Sequence, residues 1–143
     1  MSSTPSISPN LLTRFVRLGA ICAFLAVALG AFGAHALKDR LSPYALGVYQ
    51  TGVQYHMIHA LALLFVGLFS DRVSEKGVRF AKAAGTCFFV GIVIFAGSLY
   101  ALAFTGIRAL GAITPLGGVC FLLGWALLTV AASSSAGRRE PER

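Results

Sequence analysis

The sequence predicts an all-α integral membrane protein, a bundle of four transmembrane helices with both termini on the cytoplasmic side. Three observations predict it. The 143 residues are 57% hydrophobic and only 12% charged, with a mean hydropathy of +0.78; that charged share is about half the usual one for a soluble domain. The apolar residues fall into four runs, each near the ~20 residues needed to cross a bilayer as a helix. The basic residues stand at the ends of those runs. In an even bundle, Arg14, Arg17, Arg72, Lys76, Arg79, Lys82, Arg138, Arg139 and Arg143 share one side, nine of the 12 Lys and Arg. Lys38, Arg40 and Arg108 take the other, so the positive-inside rule sets the richer side in the cytoplasm.

Residues 1–10 are polar, with Pro5 and Pro9, and read as a disordered tail preceding a membrane domain over 11–132. The first span covers about 14–36. Its two arginines, apolar core and Ala34-His35-Ala36 also imitate a signal peptide with a cleavage site, and the absence of any acid before Asp39 admits a mitochondrial presequence. A retained span is the favoured reading. Ala26, Gly30 and Ala34 recur every four residues, the small-residue pattern that lets helix backbones approach, and Gly33 lies beside them. After a short charged link, Ser42-Pro43 gives an N-cap and a proline at the first helical position, starting the second span over 43–70. A basic link over 71–82 leads to the third span at about 80–105, with Gly91 and Gly97 suited to packing and Gly106 as C-terminal cap. Thr114-Pro115 repeats the cap-and-proline start for a fourth span over 114–132, which carries Gly117, Gly118 and Gly124 and brings Trp125 towards the far interface. Residues 133–143 read as a disordered cytoplasmic tail.

The second span is the unusual one, because it carries Tyr49, Gln50, Gln54, Tyr55, His56 and His59. Lipid tails offer such side chains no hydrogen bonds. At 100° per residue, Tyr49, Gly52, His56 and His59 share one side with Tyr55 flanking them, and Gln50, Gln54 and Leu61 lie roughly opposite. Polar groups on both sides imply a helix enclosed by its own bundle or by another subunit. Interhelical hydrogen bonding is the plainest role for them.

Other chemistries find less support. Cys22 and Cys87 could share a depth with His56 and His59 and offer ligands to a soft metal. Yet histidines at i, i+3 with no second ligand motif are a weak signal, so no metal or other cofactor is expected. Three cysteines inside apolar runs, Cys120 being the third, form no disulfide framework. His35 belongs to the outer interface as a capping group. All five acids lie outside the spans, and no catalytic triad, phosphate loop or zinc-protease motif is present, so the reading is not an enzyme. The net charge of +7 forms no aromatic-interleaved patch, which argues against nucleic acid and for anionic lipid head groups on the cytoplasmic side.

Four stretches carry a resemblance: GAFGAHAL (residues 30–37), YQTGVQYHMIHALALL (49–64), GSLY (97–100) and ITPLGG (113–118). With them the chain resembles the YgdD-like family, domain of unknown function 423, over about residues 16–132. The resemblance implies a small four-span protein of the bacterial inner membrane with its first span retained. It implies no activity, substrate or catalytic residue. Two expectations follow for function. One is a structural or accessory membrane protein that associates with itself or with a larger complex. The other is an oligomeric transporter or channel for ions or small solutes, lined by the second helix.

Overall fold

The computed structural model describes residues 9–134, with side chains from residue 13. Four helical spans are each long and apolar enough to cross a membrane, at Thr13–Leu37, Pro43–Arg72, Glu75–Thr105 and Ala109–Ser133. The first is α1 (Pro9–Phe32) followed by a π-helical segment, Gly33–Leu37. The second is α2 (Pro43–Phe69), ending in one 3₁₀ turn, Ser70–Arg72. The third divides into α3 (Glu75–Gly91), a π segment at Ile92–Ala96, and α4 (Gly97–Thr105). The fourth is α5 (Ala109–Ser133). Links of two to five residues extend no further than about 18 Å, short of a ~30 Å hydrocarbon core, so successive spans run antiparallel.

The start of α2 follows the local chemistry of its sequence. Ser42 accepts a bond from the Ala45 N–H at 3.2 Å, and Pro43 occupies the first turn, where its missing N–H costs nothing. Two other starts differ from the sequence reading. The third span begins at Glu75, because Ser74 caps it through the Gly77 N–H at 3.3 Å and Glu75 meets the positive end of the helix. The fourth begins at Ala109, so Thr114 is no cap and Pro115 lies inside the helix. Gly106 turns the chain at φ 69°, and bonds from Leu110 to Ile107 and from Gly111 to Arg108, 3.0 Å each, restart the helix at once. Pro9, Asn10 and Ser133, expected in the tails, are helical, and Ser134 caps the last helix; residues 1–8 and 135–143 lie outside the described residues.

Burial divides into two clusters along the bundle. The larger joins Phe15, Cys22, Leu63, Val66, Phe88 and Phe121 towards one end. The smaller joins Leu37, Tyr49 and Ala103 near the other, with Tyr100 packed against it. Glycines set the close approaches. A Cβ on Gly19 would meet the Ala60 carbonyl oxygen at 2.9 Å, one on Gly85 the Phe15 ring at 2.6 Å, and one on Gly117 the Phe95 backbone nitrogen at 2.5 Å. In a bilayer, where no water drives helices together, such fit supplies much of the association.

The expected packing residues separate accordingly. Ala26 and Gly33 are buried, Gly30 faces Val53, Gly91 lies against Phe121, and Gly118 touches Phe95. Ala34 is exposed, because an i, i+4 row drifts about 40° per step and leaves it about 80° round from Ala26. Gly97 is exposed too, with nothing within 4 Å of a Cβ placed there.

Candidate functional site

Helix α2 is the most buried of the four spans, and its inward side assembles two polar groupings. The outer one is built on Tyr49, which is buried with its ring against Gly33 of the first span. The absence of a Cβ at Gly33 makes room for that ring, and the Tyr49 hydroxyl donates to the Leu29 carbonyl at 2.8 Å. Tyr100 from α4 packs beside it, ring centroids 5.2 Å apart, over the space left by Gly52. The Tyr100 hydroxyl shares a 3.2 Å hydrogen bond with His56 Nδ1. His56 is only 6% exposed, and its Nε2 is buried with no hydrogen-bond partner.

The inner grouping centres on His59, 3% exposed. Its Nδ1 lies 2.8 Å from the Tyr55 carbonyl, which can only accept, so Nδ1 carries a proton. Its Nε2 accepts from the Trp125 indole N–H at 3.2 Å. The ring is therefore a neutral imidazole with both nitrogens paired. Phe121 of α5 stacks on it face to face, centroids 3.4 Å apart and planes within 6°, and Phe88 of α3 closes another side at 5.7 Å. One residue of α2 thus ties together the third and fourth spans.

The remaining predicted positions lie elsewhere. Tyr55 is 39% exposed and leans on Phe95, ring centroids 4.7 Å apart. Gln50 and Gln54 are exposed on the opposite side of α2, and no other span of this chain covers them. The expectation that helices of its own bundle or of another subunit enclose α2 is met within this chain on the inward side alone: the other three spans cannot surround α2 completely, and its uncovered stripe passes through both glutamines. His35 is exposed within the first π segment. Cys22, Cys87, His56 and His59 do not gather, and among the described residues no group of three or more His, Cys, Asp or Glu could hold a metal ion.

Four residues take polar roles that the sequence reading did not give them. Tyr100 was visible only as a hydroxyl in an apolar run, although that was the available signal. Trp125 serves as a donor to His59 within the bundle. Ser98 and Thr114 form a third polar contact at 2.8 Å, with Ser98 Oγ donating to the Phe95 carbonyl in the π segment at 2.9 Å. An irregular turn whose carbonyl is taken by a nearby hydroxyl can persist in a low-dielectric setting.

With this geometry in view, similarity to known proteins is informative. Residues 29–118 match the family model described as "Protein of unknown function (DUF423)". The UPF0382 membrane protein YwdK of Bacillus subtilis is 53% identical over 118 residues, covering 82% of this chain and 94% of that protein. A UPF0382 membrane protein of Staphylococcus epidermidis is 47% identical over 123 residues, 86% of this chain and 98% of that one. Another, from Staphylococcus aureus, is 45% identical over the same shares. No solved structure matches the chain.

Proposed function

The chain belongs to the DUF423 family of proteins of unknown function, whose relatives are membrane proteins, and on that premise we propose that it is a structural, accessory component of a membrane assembly. We place it in a bacterial inner membrane with both termini cytoplasmic, on the distribution of its basic residues. The observation that carries the accessory role is the state of His59. A proton or ion path through a small bundle needs an ionisable group near the midplane that is free to exchange. His59 has both nitrogens committed to its own chain and its face covered by Phe121. Its bonds make it a brace between helices.

One observation favours the second reading, a transporter or channel. His56 keeps a buried, unpartnered Nε2 on the inward side of α2. If that atom served transported solutes or protons, purified protein in liposomes would raise flux above empty vesicles, and His56→Leu would abolish it. The accessory reading expects no flux above the empty control. Histidine-dependent flux would replace it with the transport reading.

A further inference from the structure

Within a bilayer the uncovered face of α2 has a regular composition. Gly47, Thr51, Gln54, Ile58, Leu61 and Phe65 are all exposed, and they follow one another at alternating steps of four and three residues. The pattern runs on to Leu68, also exposed, so it covers about 32 Å of helix, the thickness of a hydrocarbon core. Steps of four and three are the seam of a left-handed helix pair, the commonest crossing in membrane bundles. An apolar stripe of this kind would by itself simply meet lipid. Gln54 changes that, because it stands about 5 Å from the middle of the seam, roughly 10 Å inside the nearer edge of the core. A carboxamide there has two donors and an acceptor that no lipid tail can pair.

We propose that this face joins two copies of the chain in a two-fold symmetric dimer, with each Gln54 hydrogen-bonded to its counterpart. The second copy is the occupant for three reasons. All copies insert with the same orientation, so the partner's Gln54 comes to the same depth without adjustment. The carboxamide is its own complement, since its N–H groups donate to an identical C=O. Gly47 in the seam has nothing within 4 Å of a Cβ placed there, whereas Gly19, Gly33, Gly85, Gly91, Gly117 and Gly124 are already filled by neighbours within the chain; off the seam, Gly97 of the third span is open as well. A single polar pair in an otherwise apolar seam also fixes register, the role such residues take in coiled coils. The dimer rests on the accessory reading, as the form in which the component is built.

The test uses the full chain in isolated membranes with single cysteines added under an oxidant. Gln54→Cys and Leu61→Cys are expected to form disulfide-linked dimers. The parent chain, with its native Cys22, Cys87 and Cys120, and the exposed off-seam variants Phe24→Cys and Leu122→Cys are expected not to. Equal cross-linking at seam and off-seam positions, or an adduct at position 54 with a different protein in place of the dimer, overturns the dimer; the second result leaves the accessory reading standing. In reconstituted vesicles, association measured by energy transfer on lipid dilution should weaken about three- to thirtyfold in Gln54→Leu, with Gln54→Asn in between. The melting temperature of the dilute Gln54→Leu protein should match wild type, because Gln54 is exposed on the surface of its own bundle. Undiminished association in Gln54→Leu overturns the proposal, whereas flux through the vesicles would overturn the accessory reading instead.

Discussion

His59 takes its proton arrangement from two neighbours. The Tyr55 carbonyl holds a hydrogen on Nδ1, and the Trp125 indole holds a lone pair on Nε2. Trp125→Phe keeps an aromatic ring at the site and removes only the donor, leaving a buried acceptor unpaired. It is expected to lower stability by about 1–3 kcal/mol, read from unfolding in detergent. Wild-type stability in that variant would mean the indole bond contributes nothing. His56 and Tyr100 behave as a pair. Either His56→Leu or Tyr100→Phe alone leaves the other partner's polar atom without its bond in a part-buried position, whereas both together leave an apolar contact. The double variant should therefore stand within about 1 kcal/mol of wild type and above both singles in the same measurement. The sequence displayed both histidines by their presence in an apolar run. It concealed their partners, because Tyr100 and Trp125 lie 44 and 66 residues away and only the packing of spans brings them near.

Local chemistry made the start of α2 readable, the equally local Ser74 cap of α3 went unread, and the start of α5, set by the preceding turn, was not legible. Ser42-Pro43 starts α2 as expected from its residues alone. Thr114-Pro115 offers the same kind of hydroxyl-proline pair five residues into α5, where the helix has already been started by the turn after Gly106 and Thr114 bonds to Ser98. The π segment at Ile92–Ala96 has no pattern in apolar spacing, since it lies in a run that is apolar on every side; the one at Gly33–Leu37 has only His35 to mark it. The glycines make the same point. Gly97 and Gly117 were equal candidates for packing, yet a Cβ at Gly117 would strike the Phe95 backbone at 2.5 Å and one at Gly97 meets open space. Gly117→Ala should cost about 1–3 kcal/mol through forced separation of α5 from the third span. Gly97→Ala should be neutral or stabilising by up to about 1 kcal/mol, because alanine favours the helix and displaces nothing. Parallel thermal melts of the two variants decide this, and equal losses would mean that the close approach at Gly117 is dispensable.

At the scale of the molecule, the order of the spans and their alternation follow from short links, and orientation follows from charge. Antiparallel neighbours place residue 40 and residue 108 at one end of the bundle, and residue 76 with Ser134 at the other, where the Ser74 N–H donates to the Ser134 carbonyl at 3.0 Å. The end near residue 76 carries Arg72, Lys76, Arg79 and Lys82 in and around the start of α3, where Glu75 is the acid of the first turn. The opposite end has only Lys38, Arg40 and Arg108. Moving lysine and arginine across the membrane during insertion is disfavoured, so the basic end is expected on the cytoplasmic side. Reporter fusions after residues 40, 76, 108 and 143 are expected to report outside, inside, outside and inside in turn. A reporter after residue 76 on the outer side would invert the whole molecule, since the links allow no single span to turn over independently. Because all copies share whichever orientation the fusions reveal, the Gln54 seam would still meet its own counterpart at equal depth.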